Sequence, residues 1–408
     1  MYKVVHVQKD LFSAGRAAMR LHNAFIGAGI DSSVLSLFID INDTDKIRST
    51  SKASRIIARL DYSLQSVLTR KIDHRFGLYS FPLLGTDISG HPLIVKAEII
   101  YLHWVQGGFM NLSGYHKLVK LGKPVIIFMH DMWTITGGCH HSFDCDKYKN
   151  ECSDCPAFEG KERIDWVKRE FRRKGKIYKN HENLCFVTPS NWLFGCTTNA
   201  ALTINKPVFR IPNIVDENIY KSVNRRFARQ LLNLDPEEII VAFGAFTISS
   251  PYKGWTELEK ALNLLHESRD LNNLSVLIFG GEYNKVLAES IPFKTRFLGF
   301  LKDEYSTVLV YNAADVFVSP SLADNLPTTI LECLACGTPV TGFDIGGIPD
   351  MIDHKKNGYL AKYRDPVDLA EGIRYCINNK IQGRLLPEFK KENIIARHLD
   401  LLHNLKGQ

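Results

Sequence analysis

Short runs of β-branched and apolar residues alternate with helical patterns along the whole chain, and this alternation limits the fold more than any other feature. In the front half the runs fall at residues 4–7, 33–38, 98–103, 125–130 and 184–188. In the back half they fall at 239–243, 274–279, 315–318 and 340–343. Runs this short, apolar throughout and separated by helices, read as buried strands of parallel sheets. The expected fold class is therefore α/β, with two Rossmann-like parallel-sheet domains. A chain of 408 residues has the length for two such cores. The segment 210–215, containing Pro212 and Asn213, is the best boundary. Most of the unusual polar residues sit at the carboxyl ends of the runs, where open parallel sheets bind ligands. A two-domain enzyme with a cleft between its sheets follows as the expectation.

Composition excludes several classes. Hydrophobic residues make up 45% and charged residues 23%, so disorder is not the main state. No run approaches the roughly 18 apolar residues of a membrane span. The first ten residues read as a strand, so no secretory leader is expected and the chain reads as cytoplasmic. Its nine cysteines are then expected to be mostly reduced. The net charge of +7 is too small for a dedicated nucleic-acid binder. That charge is uneven: residues 1–200 hold 27 basic and 19 acidic side chains, the remainder 24 and 25. The front half alone is positioned to meet an anionic partner.

The most informative segment is 318–349, VSPSLADNLPTTILECLACGTPVTGFDIGGIP. Asp324 lies just before a helix whose first turn is expected to hold Pro327, and Glu332 lies about two turns on. A helix start presents unpaired N–H groups to a phosphate, and carboxylates accept from sugar hydroxyls. By pattern alone, Asp324 is as readily a helix cap and Glu332 a solvated residue.

The segment resembles the donor-binding signature of the family 4 retaining glycosyltransferases, which have the two-domain GT-B fold. The matching residues are Asp324, Glu332, Ala335, Gly337, Pro339, Val340, Gly346 and Gly347. The resemblance implies that Asp324 holds the donor sugar, backbone near Asn325 and Leu326 holds sugar and phosphate, and Glu332 holds the ribose. The first acid is more often Glu in that family. Lys253-Gly254 resembles the family's phosphate lysine, although residues 245–252 lack the Arg that often precedes it. Thr247, Ser249, Ser250 or a distant Arg would then compensate. His130 matches a histidine that faces the sugar, and Gly15 the glycine turn after the first strand. Residues 189–193 and 211–216 match architectural segments.

The family implies domains at 1–212, with a cysteine-rich insert at 137–160, and at 213–385, with a C-terminal helix at 386–408 packing back on the first. It also implies a retaining transfer from a nucleotide diphosphate sugar, UDP before GDP, to a saccharide or lipid-linked saccharide, in bacterial surface polysaccharide synthesis. No catalytic metal is expected. A nucleotide-sugar epimerase of the same fold, or a non-catalytic binding module of an assembly complex, are the alternatives.

The segment 130–156 resembles an insert in a branch of that family found in bacterial capsular and exopolysaccharide clusters. Cys139, Cys145, Cys152 and Cys155 cluster, the last two as C-x-x-C, with His140 and His141 nearby. They read equally as a structural zinc site or as four reduced thiols. The D-x-D string at Asp144 and Asp146 lies within the same insert and is taken as coincidence. In residues 54–72, Ile56, Leu60, Leu64, Val67 and Leu68 follow helical spacing, flanked by Arg55, Arg59, Arg70 and Lys71. Residues 161–179 carry nine Lys or Arg, with Trp166 and Phe171 interleaved. Together they point to peripheral docking on an anionic membrane, on the inner face of the plasma membrane, against the plainer reading of core-packed amphipathic helices.

Overall fold

The computed structural model describes residues 2–12, 15–39, 44–70, 72–158, 165–245, 250–271, 273–281 and 285–406. The chain divides into two compact units: residues 1–214 with 392–408, and residues 215–391.

The first unit is built on β1 (Lys3–Asp10), β2 (Asp31–Phe38), β3 (Ile47–Ser49), β4 (Ile99–Leu102), β5 (Val125–Phe128), β6 (Leu184–Thr188) and β7 (Val208–Arg210). They form one sheet in the order β3-β2-β1-β4-β5-β6-β7, parallel throughout. Successive side chains point to opposite faces of a strand. Val5, Val7, Ile100 and Leu102 therefore enter one buried cluster, while Val4, Ile99 and Tyr101 enter another. The helix Lys391–Lys406 covers the second face with Ile394, Ile395, Leu401 and Leu402.

The second unit holds β8 (Ile239–Gly244), β9 (Leu274–Phe279), β10 (Lys294–Phe297), β11 (Val316–Ser319), β12 (Val340–Phe343) and β13 (Gly358–Ala361). Their order is β10-β9-β8-β11-β12-β13, again parallel. Ile240 and Ala242 face one core cluster, Val241 and Phe243 the other. Two parallel α/β sheets are thus the observed fold class.

The strands that the hydrophobic pattern misses are β3, β7, β10 and β13, each three or four residues long. All four lie at sheet edges. An edge strand is half solvated and needs no continuous apolar run, so its signal is weak. In each sheet the strand order reverses once, between β1 and β4 and between β8 and β11. The carboxyl ends beside such reversals are where ligands bind in open sheets.

Candidate functional site

In the second unit the chain leaves β8 and reaches Lys253, which ends a short 3-10 turn, Pro251–Lys253. Gly254 follows with φ +68° and caps the helix Trp255–Ser268. A Cβ there would lie 1.7 Å from the Pro320 carbonyl oxygen, so only glycine brings this turn against the end of β11. That contact sets Lys253 beside Asp324. Their side chains form an ion pair, Nζ to Oδ2 2.8 Å, with 29% and 18% of each side chain exposed. Burial lowers the Lys253 pKa, but the charge and hydrogen bond of Asp324 outweigh it and hold the ammonium above its usual value. Asp324 is therefore an ion-pair partner. The backbone beneath it is fixed by Gly346, φ +58°, where a Cβ would come within 1.9 Å of the Asp324 carbonyl oxygen.

Pro327 sits at the N-cap of the helix Thr328–Ala335, one position outside the first turn expected for it. It supplies no side-chain acceptor, and its carbonyl accepts from Ile330 N at 3.1 Å, which leaves the N–H groups of Thr328 and Thr329 without a cap from Pro327. Asn325 and Leu326 are buried, and the Leu326 side chain belongs to the core, which leaves its backbone as the part able to meet a ligand. Glu332 is buried rather than solvated: the Tyr311 hydroxyl donates to its Oε2 at 3.0 Å. Tyr311, fully buried behind it, was not legible as a site residue, because nothing in its own segment marks it.

In the first unit His130 follows β5 and is the end of a row of three imidazoles. His6 on β1, His103 after β4 and His130 are joined by Nδ1 to Nε2 contacts of 3.0 Å each. Burial lowers the His130 pKa to about 4, only partly countered by Asp131. His6 and His103 are held well below the usual value by burial and by neighbouring imidazoles. The row is neutral at ordinary pH, and neutral imidazole both donates and accepts, so His103 sets which His130 nitrogen is protonated. Asp131 beside it accepts from Trp133 N (2.8 Å) and Trp104 Nε1 (3.2 Å) and pairs with His140 Nδ1 (2.6 Å). His140 Nε2 in turn meets Ser80 Oγ at 2.8 Å. Ser80 is buried, so this Ser-His-Asp order anchors the insert and has no open face for a substrate. Gly15 lies at the turn after β1. A Cβ there would come within 1.8 Å of the Asp10 carbonyl oxygen, which gives this glycine a packing reason of its own.

The insert brings Cys139, Cys145, Cys152 and Cys155 around one small cavity with Tyr79 and Lys147. Burial pushes the Cys152 thiol up to about 12 and Cys139 higher still. Among the described residues, however, no three His, Cys, Asp or Glu side chains are arranged to hold a metal ion.

The basic segment 161–179 differs from its sequence reading. Residues 161–164 lie outside those described, as do Lys71, Thr247 and Ser249. Within the helix Trp166–Lys179, Phe171 packs in the core and Lys174 is buried, bonding the Trp133 and Thr136 carbonyls at 2.5 and 3.1 Å. Burial lowers the Lys174 pKa to about 7. Lys168 and Arg172 pair with Glu151. The aromatic residues of this segment hold the fold instead of facing a membrane. Among the described residues no helix is long and apolar enough to cross one.

Residues 237–379 match the family described as group 1 glycosyl transferases. The chain is 34% identical over 132 residues to a D-inositol 3-phosphate glycosyltransferase of Corynebacterium jeikeium, covering 30% of this chain and 31% of that protein. It is 20% identical over 232 residues to an N-acetyl-alpha-D-glucosaminyl L-malate synthase of Bacillus anthracis, covering 51% and 56%. The matches span about a third to a half of the curated relatives' length. Among solved structures, a sucrose-phosphate synthase of Thermosynechococcus elongatus superposes over all of both chains with a TM-score of 0.64 and 16% identity. Anabaena HepE, solved with UDP and glucose, does so with 0.61 and 15%. At these identities the likeness is one of fold, and that fold is the GT-B arrangement of two parallel-sheet domains.

Proposed function

We propose that this chain, whose residues 237–379 form a group 1 glycosyl transferase domain, is a retaining glycosyltransferase. It moves a sugar from a nucleotide diphosphate sugar, UDP before GDP, to a saccharide or lipid-linked saccharide acceptor in bacterial surface polysaccharide synthesis. The observation that carries the reading is the Lys253–Asp324 pair at the carboxyl ends of β8 and β11, inside the matched domain. A cation beside a helix start suits a diphosphate, and a carboxylate in contact with that cation suits the sugar attached to it. HepE, solved with UDP and with UDP-glucose, supports this donor class.

The chemistry assigned to each residue follows from charge. As the sugar C1–O bond breaks, negative charge grows on the diphosphate, and Lys253 with the N–H groups of Thr328 and Thr329 at the helix start stabilises it. Asp324 shifts from Lys253 to the sugar hydroxyls. The acceptor hydroxyl attacks C1 on the face the phosphate leaves, and its proton passes to a phosphate oxygen, so configuration is retained without a protein nucleophile. Glu332 accepts from the ribose hydroxyls, with Tyr311 fixing its carboxylate. His130, neutral, hydrogen-bonds the sugar. Gly15 lets backbone approach the substrates.

Nucleotide sugars are screened by thermal shift, and the ligand that stabilises is used in a transfer assay. UDP-sugar raising the melting temperature, and a product with the donor's anomeric configuration by NMR, is the expected outcome. Interconversion of free UDP-sugar without acceptor, or binding without transfer or donor hydrolysis, refutes it.

A further inference from the structure

The helix Lys52–Thr69 is turned the opposite way from an ordinary surface helix. Its buried residues are Ser54, Ala58, Asp61 and Gln65. Its apolar stripe faces water: Ile56, Leu60, Leu64 and Val67 are 58%, 55%, 45% and 71% exposed. The orientation is fixed from the polar side. Asp61 Oδ1 accepts from the backbone N–H of Leu83 (3.0 Å) and Leu84 (2.7 Å). Gln65 Oε1 accepts from Phe81 N at 2.9 Å, and its amide donates to Asp61. Gly108 packs so closely on Ala58 that a Cβ would come within 2.5 Å of it. Rolling the helix to bury the stripe would strip these groups of their partners, and leaving buried polar groups unpaired is costly.

A surface helix normally turns its apolar face to the core, and an apolar patch held outward marks a contact. The charges beside the stripe say with what. At 100° per residue, Ile56, Leu60, Leu64 and Val67 lie within one narrow sector, and Lys52, Arg59 and Arg70 border it on one side, all exposed. Asp61 is the helix's only acid, and it is buried. An apolar ridge edged by cations and free of exposed acid is complementary to an anionic lipid surface.

We propose that Lys52–Thr69 docks the first unit on an anionic membrane. Ile56, Leu60, Leu64 and Val67 enter the acyl boundary, and Lys52, Arg59 and Arg70 meet lipid phosphates. The docking stands independently of the glycosyltransferase reading. If both hold, the front domain works at the surface where a lipid-linked acceptor lies.

The test is flotation of the full chain with vesicles of phosphatidylglycerol and phosphatidylcholine, against phosphatidylcholine alone. Wild type floats with the anionic vesicles at low salt and is released as salt rises. Ile56→Ser/Leu60→Ser/Val67→Ser lowers recovery about tenfold, because three apolar side chains no longer bury. Its thermal unfolding and its activity toward a soluble acceptor stay at wild-type values, since all three side chains are exposed. Arg59→Gln/Arg70→Gln lowers the salt concentration at which release occurs. Wild type that does not float, or a triple-serine variant that floats as well, overturns the proposal. So does a wild-type dimer that the triple-serine variant converts to monomer in gel filtration, because the face then covers a second copy.

Discussion

The Lys253–Asp324 pair makes a prediction that runs against simple loss of function. The cation assigned to the diphosphate is paired with a carboxylate at 2.8 Å. A nucleotide must therefore compete with Asp324. At that distance and an effective dielectric of about 20, the attraction is roughly 6 kcal/mol before solvation is subtracted. Both groups are partly exposed, so the net value falls to that of a charged hydrogen bond, about 1.5–3 kcal/mol. Asp324→Asn removes the charge but keeps an acceptor, which places its effect at the lower end. UDP alone should then bind roughly tenfold tighter to Asp324→Asn, at about 1.4 kcal/mol per factor of ten. Lys253→Ala should weaken UDP by about ten- to a hundredfold. Sugar transfer by Asp324→Asn should nonetheless fall, because the sugar loses its carboxylate. Isothermal titration at fixed ionic strength, with circular dichroism to verify folding, measures wild type, both single variants and the double mutant. If Asp324→Asn binds UDP no better than wild type, and Lys253→Ala costs the same in both backgrounds, the two residues do not compete for one charge and the site assignment is wrong. The raised Lys253 pKa gives the pair's pH window: its stabilisation is complete below about 10.5 and is lost only as pH rises through the folded value.

Tyr311→Phe removes the hydroxyl that holds Glu332, so urea unfolding should show a loss of about 1.5–3 kcal/mol, and UDP affinity should fall with it. An unchanged midpoint and affinity would mean the carboxylate finds equal solvation elsewhere. Burial lowers His22 to about 4 and His398 to about 3. Groups depressed in the folded state stabilise fully above their unfolded value near 6.5 and lose that contribution as pH falls, about 2 kcal/mol each by pH 5. Unfolding at pH 5 and 7.5 should differ accordingly, with a smaller difference in His398→Gln; equal stability at both values contradicts the buried neutral histidines. His130→Ala should lower turnover more than UDP affinity, and full transfer activity in that variant removes it from the site. A structural zinc on the four thiols that line one cavity predicts about one equivalent of metal in protein purified without chelator and a loss of stability on chelation; less than about half an equivalent, with no loss of stability with chelator, leaves them as reduced thiols.

How far the site could be read in advance varied with the distance over which each feature is determined. Lys253, Asp324, Asn325 and Glu332 stood out because each lies within a few residues of a strand end or a helix start, and local sequence controls both. Their relations to one another did not. Lys253 and Asp324 are 71 residues apart, and their pairing depends on Gly254 pressing against Pro320. The row His6, His103, His130 comes from the ends or interiors of three neighbouring strands, and sheet order alone makes them a group.

The sequence by itself determined the elements and their class. Alternating apolar runs and helical patterns admit little besides parallel sheets with covered faces, because a strand buried on both sides needs apolar residues throughout. Only the tertiary structure decided which way each amphipathic surface points. The helix Lys52–Thr69 and the helix Trp166–Lys179 have comparable patterns of apolar and basic residues, yet the first turns its apolar stripe outward and the second buries Phe171 and even Lys174. The difference lies in partners remote in sequence: unpaired backbone N–H groups at Phe81, Leu83 and Leu84 claim Asp61 and Gln65, while the Trp133 and Thr136 carbonyls claim Lys174. A buried backbone group must be paired, and a helix rotates toward whatever satisfies it.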